Sequence, residues 1–401
     1  MLVNNNILYG IILLCGSALV VFASALFVLS FSPQHIISKC DSASDAQQVD
    51  CVYRIVDGYI AKGDISGGFK LFGAAYSRYH SFAGTGCHRH AHRMGDMVYY
   101  NLYLSGSKNI NDIYFPQDTT ACGYGFFHGF IEHLIQDNPN PLFVTEVCTH
   151  LTDTLSDRMG NIEIICYHGS GHGFVLHHSE TVREDEWGNV LAFAEEPIRA
   201  CESLPGASDV AIEECRQGVF NIIVDWMSDE EYGFAYNWED PLKTCRALEA
   251  HMQYACYYEM SQKLDTASNL DPRKIMHIAS EVADKEAEKV IFATGIAGMV
   301  QQTIVEERWK KSILPSCVTL PSPFDEYCIE GLVHGLFEHG PPLREYEFPL
   351  HLCSTDLQKF EVLQDVCYKA SVKRLERFYD DAKVGTICAT IPQQYMGFCK
   401  G

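Results

Sequence analysis

The sequence predicts an all-α protein built from disulfide-stapled helical hairpins that repeat along the chain behind an N-terminal transmembrane helix. Three observations carry this: a single long apolar run near the start, a dense cysteine set at recurring separations, and a glycine-rich phrase that returns roughly every 35 to 50 residues.

The apolar run comes first. Residues 7–31 contain no charged side chain, and such a stretch is long enough to cross a bilayer as a helix. A cleaved export signal has a positive start and a shorter apolar core. Here the first six residues carry no Lys or Arg, and the run continues past the small residues Ala23, Ser24 and Ala25. The expected organisation is therefore a membrane anchor (or uncleaved signal) over residues 1–35 and an extracytoplasmic domain over 36–401. No later segment is comparably apolar.

The cysteines orient the anchor. Of 17, Cys15 falls within the apolar run and 16 lie beyond it. An even, dense set after an export segment reads as a disulfide framework formed in the periplasm or at the cell surface. Four expected pairs are each 11 residues apart: Cys40 with Cys51, Cys245 with Cys256, Cys317 with Cys328, and Cys388 with Cys399. Cys201 with Cys215 and Cys353 with Cys367 are 14 apart, and Cys148 with Cys166 are 18 apart. Free thiols or a metal–thiolate cluster are the alternatives, but the chain has no C-x-x-C. Cys87 and Cys122 lack close partners and are expected to bond to each other, tying two neighbouring helices.

The second cysteine of most pairs begins the repeated phrase. Cys122 begins CGYGFFHGFIEHL, Cys166 CYHGSGHGFVLHH, Cys215 CRQGVFNIIVDWM and Cys328 CIEGLVHGLFEHG, with a cysteine-free copy from Phe292 and weaker copies from Cys256 and Cys367. The cysteine and the glycines three and seven residues on share one helical stripe. Gly inside a helix costs about 1 kcal/mol relative to Ala, so its repetition predicts close helix approach. The preceding segments 142–157, 190–202 and 241–253 also read as helices, giving hairpins whose second helix opens at the cysteine. In plan this resembles the α/α-repeat class, either a Sel1-like or tetratricopeptide-like solenoid or a closed α/α toroid. The resemblance is architectural only, since neither consensus is matched.

Chemistry is expected in the histidine-rich stretch of about 81–180. His88 and His92 are four residues apart, as are His168 and His172, so each pair shares a helical face and can chelate. His128 occupies the sixth position after its cysteine, as do His172 and His334, away from the packing stripe. The expectation is one transition-metal ion (zinc, copper or iron) bound by His88, His92, His128 and His172, with His168 as a further ligand or supporting group. Glu132 lies one turn beyond His128, as Glu338 does beyond His334, and is the candidate base or supporting carboxylate. There is no HExxH, G-x-S-x-G or P-loop.

The net charge of −22 disfavours a nucleic-acid partner. Two functions remain in view: a membrane-anchored extracytoplasmic metal-binding protein, with enzymatic activity left open, or a repeat scaffold binding a protein or peptide on its concave face with structural histidines.

Overall fold

The computed structural model describes residues 32–400. Among these the chain is all-helical, with about 74% of it in helices and no strand. No described helix is long and apolar enough to cross a membrane; the expected anchor over residues 7–31 lies outside the described residues.

The helices that position the site are α1 (Asp45–Ile60), α2 (Ile65–Arg78), α3 (Cys87–Val98), α4 (Gly125–Asp137), α5 (Pro141–Leu155), α6 (Ile162–Ser179), α7 (Val190–Glu202), α8 (Asp209–Asp229), α9 (Ala250–Ser261), α10 (Pro272–Ser280), α11 (Lys285–Thr303), α12 (Phe324–His339) and α13 (Glu361–Phe378). Their starts are encoded locally. Asn140 and Asn189 accept hydrogen bonds from the N–H groups two residues on, Ser208 and Asp284 from those three residues on, and Pro141 pre-sets the first turn of α5.

Hairpin partners pack as α1 with α2, α5 with α6, α7 with α8, α10 with α11 and α12 with α13. The second helices also pack on one another in the order α3, α4, α6, α8, α9, α11, α12, and α12 returns to touch α3. Further contacts join the two ends of this series. Tyr76 Oη donates to the His339 carbonyl at 2.8 Å. The Cys122 N–H donates to Glu345 Oε1 at 3.0 Å, and Thr120 Oγ1 to the Phe378 carbonyl at 2.9 Å.

Glycine sets how close these helices come. A Cβ on Gly218 of α8 would sit 1.9 Å from the His168 carbonyl oxygen on α6, and one on Gly129 of α4 would sit 2.2 Å from that of His92 on α3. Nothing larger than hydrogen fits at either place.

The eight disulfides among the described residues join the expected cysteines. Cys40 bonds to Cys51, Cys148 to Cys166, Cys201 to Cys215 and Cys245 to Cys256. Cys317 bonds to Cys328, Cys353 to Cys367 and Cys388 to Cys399. The long-range pair forms too: Cys87 bonds to Cys122, with their Cα atoms 5.3 Å apart.

Two local expectations are corrected. The second cysteine of a pair does not open its helix. Cys51, Cys166, Cys215, Cys256, Cys328 and Cys367 each lie at least a full turn inside α1, α6, α8, α9, α12 and α13. The reason is that the capping residues, such as Ser44 before α1 and Ser208 before α8, stand upstream. Each of these bonds therefore grips a helix within its length rather than at its end. Cys399 opens no helix either, because it comes next to last in the 3₁₀ segment Gln393–Lys400. Only Cys87 begins its helix, while Cys122 stands in the turn before α4. Segment 241–253 is not one helix. It forms the short turn Lys243–Arg246 and then the start of α9, because Leu248 folds into the core and Glu249 takes an extended backbone as the cap of α9.

Candidate metal centre

The repeat register brings chemistry to one place. The sixth residue after each phrase cysteine is His128 on α4, His172 on α6, Asn221 on α8 and His334 on α12. A carboxylate follows one turn later as Glu132, Asp225 and Glu338. Helix α3 adds His88 and His92, and α6 adds His168.

Five imidazoles pack together around His128. Its ring centroid lies 5.0 Å from that of His88, 5.5 Å from His92, 4.7 Å from His168 and 5.3 Å from His172. His92 and His172 are 5.7 Å apart. Their potential ligand atoms form two histidine triads, each closed within 4.8 Å: His88, His92 and His128, then His128, His168 and His172. His92, Glu132 and His172 form a third such set, and Asp96, Glu132 and His133 a fourth. These buried groups could hold a metal ion.

Each outer imidazole turns its Nδ1 away from His128. His88 Nδ1 donates to the Cys122 carbonyl at 2.9 Å. His172 Nδ1 donates to Glu132 Oε2 at 3.0 Å. His92 Nδ1 faces Glu132 Oε1 at 3.6 Å, and His168 Nδ1 faces Glu214 Oε2 at 3.7 Å. Outer acceptors of this kind fix the ring and tautomer of a metal-binding histidine. His128 Nδ1 lies 3.2 Å from His88 Nε2. The Nε2 atoms of His128 and His172 are buried without a hydrogen-bond partner.

Burial disfavours the charged form of His88, His128 and His172. Burial, with the neighbouring His92, lowers His88 to about 3. Burial holds His128 well below the usual imidazole value, with His168 and His88 adding to the effect. Burial also lowers His172 to about 4, against the opposing Glu132 carboxylate. His92 is the exception: burial pulls it down, but Glu132 outweighs this and raises it. Glu132 itself is buried, which favours the neutral acid, yet His92 and His172 hold it far below the usual carboxylate range. One anion thus supports two imidazoles.

The other histidines divide by helical face. His90, two residues from either member of its neighbouring pair, points the opposite way. It stacks on Phe82 at 3.6 Å, donates from Nε2 to the Phe82 carbonyl at 2.6 Å and accepts from Tyr53 Oη at 2.6 Å. His177 and His178, expected on the surface, are half-buried and bond to the carbonyls of Gln136 and Ala192. Glu132 is buried, with its two oxygens directed at His172 and His92.

Beside the cluster lie His334 and Glu338, marked by the HGLFEH echo, and Glu259, Asn221 and Asp225, which the sequence reading did not single out. Glu338 accepts from His334 Nε2 at 2.5 Å, and a Cβ on Gly123 would lie 3.3 Å from Glu338 Cγ and 3.2 Å from His88 Nδ1. The second echo of the phrase therefore abuts the first. Glu259 accepts from Asn221 at 2.6 Å and Gln262 at 2.7 Å, and burial raises it to about 7. Asp225 pairs with Lys263 at 2.8 Å. The register of Asn221 and Asp225 in CRQGVFNIIVDWM was the signal available for them. Comparison with protein-family models, curated proteins and solved structures finds no match to this chain, so the reading of the site rests on its own geometry.

Proposed function

We propose that this chain is an extracytoplasmic metalloprotein, held at the membrane by residues 1–35, whose repeats form a closed α/α ring around a histidine-bound transition-metal centre. The observation that carries the reading is the pair of buried Nε2 atoms on His128 and His172, unpartnered on rings whose charging burial disfavours. An unpaired buried polar atom costs about 1–3 kcal/mol, and a metal bond removes that cost.

The 3.2 Å between His128 Nδ1 and His88 Nε2 fits two ligands of one ion, since bonds of about 2.0–2.1 Å at a tetrahedral angle place their nitrogens about 3.3 Å apart. Neutral nitrogen donors backed by carboxylates suit zinc, copper or iron. Three imidazoles leave a position where such an ion, when bound, lowers the pKa of water toward about 7. The eight disulfides support an oxidising compartment, and the contacts of Tyr76, Thr120 and Cys122 with the last helices support the ring.

Elemental analysis of the purified full chain tests this. Stoichiometric zinc, copper or iron, reduced in His172→Ala, is expected. Metal-free protein that neither takes up these ions nor gains stability from them would overturn the reading and leave the histidines as structural parts of a scaffold.

A further inference from the structure

Resting on the metal reading above, we infer that the centre is dinuclear. His88, His92 and His128 Nδ1 hold one ion, His168, His172 and His128 Nε2 hold a second, and the His128 imidazole bridges them.

Ligand count is the first ground. Five imidazoles crowd one point, and they close as two triads that share His128 alone. Structural zinc takes about four ligands, so one ion leaves a surplus imidazole buried without a role.

Direction is the second ground. All four outer histidines commit Nδ1 outward, to the Cys122 carbonyl, to the two oxygens of Glu132 and to Glu214. Their Nε2 atoms are left for the interior. His128 has no such outer acceptor. Its Nδ1 faces His88 Nε2 at 3.2 Å, and its buried Nε2 has no partner. A terminal ligand is normally held by an acceptor on its second nitrogen. A bridging ligand has none, because both nitrogens carry metal.

The supporting carboxylate gives the third ground. Glu132 reaches His172 through Oε2 and His92 through Oε1, one imidazole from each triad. It can therefore hold both halves of the pair in register.

Filling the second position replaces the remaining ring N–H of His128 with a metal–nitrogen bond, and the proton leaves to solvent. Charge balances, since each divalent ion adds two positive charges and the proton carries one away. The ions are of the borderline class that takes nitrogen donors, copper(II) or zinc(II).

Copper(II) titration of the full-length, disulfide-intact chain tests this, followed by elemental analysis and electron paramagnetic resonance. Two copper(II) ions per chain are expected, with signal intensity reduced by coupling through the shared ring. His168→Ala should retain one ion per chain and show an uncoupled copper spectrum. His128→Ala should abolish the coupling, and circular dichroism melts confirm that each variant is folded. One ion in the parent chain, or two ions with independent spectra, overturns the bridge but leaves the metal centre standing. No copper in any form overturns both.

Discussion

Replacing Gly218 by alanine tests whether helix spacing holds the cluster together. The added methyl would lie 1.9 Å from the His168 carbonyl oxygen, and real Cβ contacts begin near 3.0 Å. Helix α8 must therefore move from α6 by about 1.1 Å. The contact is backbone on one side, so no rotamer relieves it. Overpacking of this kind costs about 1–3 kcal/mol, and the better helix propensity of Ala returns about 1 kcal/mol, leaving a net loss of up to about 2 kcal/mol. The shift acts on the segment bearing His168, whose ring lies 4.7 Å from His128, so metal affinity falls as well. Gly73→Ala is the control, because it is also inside a helix and its Cβ would meet nothing within 4 Å. It should gain about 0.5–1 kcal/mol. Urea unfolding of the oxidised proteins, with metal titration, separates the two. Equal stability of Gly218→Ala and Gly73→Ala would refute the close-approach argument.

Three further outcomes are expected. His90→Leu leaves the Phe82 carbonyl and Tyr53 hydroxyl without their imidazole partner, lowering stability by about 1–3 kcal/mol with bound metal unchanged; a loss of metal would show that His90 belongs to the site. Removing the bond between Cys148 and Cys166 with paired serines opens a loop 18 residues apart in sequence, costing about 3 kcal/mol by denaturant midpoint. In metal-free protein, His88 is lowered to about 3, and His90, His172 and His339 to about 4, mainly by burial. The unfolded chain takes up protons near pH 6.5 that the folded one refuses, so stability falls as pH drops from about 6.5 toward 4. Glu259, raised to about 7, and His92, His133, Glu213, Asp265 and Glu345, also raised, act in the opposite sense, while His128 and His334 join the lowered set. Denaturation midpoints across that range that rise toward low pH would contradict these directions.

The repeat plan was legible because its marks are local. Cysteine separations of 11, 14 and 18 close within hairpins, and the glycines of the phrase sit where backbones touch. The starts of the second helices differ from the expectation at Cys51, Cys166, Cys215, Cys256, Cys328 and Cys367, since a disulfide marks where two segments touch and the cap upstream marks where a helix starts. The sixth-position rule located His128 and His172 because the helical period fixes direction. The same rule separates His90 from His88 and His92, since a residue two positions away faces the other side. Asn221, Asp225 and Glu259 went unmarked because the register is kept there while the residue type changes. The approach of Glu338 to His88 was illegible for another reason. It depends on contacts between the first and last repeats, and no local pattern encodes where the end of a chain arrives. The break before α9 likewise follows from Leu248 finding a place in the core.

Glu345 shows what such an arrival implies for the order of assembly. Its side chain is fully buried and accepts from the N–H groups of Cys122 and Leu343, at 3.0 Å each, and from Tyr379 Oη at 2.5 Å. The bond to Cys122 spans 223 positions of sequence, whereas the disulfide at Cys122 spans 35 and the others 18 or fewer. Short loops close fast and distant pairings slowly. In a chain emerging N-terminus first, both cysteines of six of the disulfides emerge before Glu345 does. Every residue of both imidazole triads precedes Glu345 by more than 170 positions, so all five histidines are in place along the chain before the segment that carries Glu345. That interval, which ends when the last helices dock, would give an ion a more open route to the proposed site.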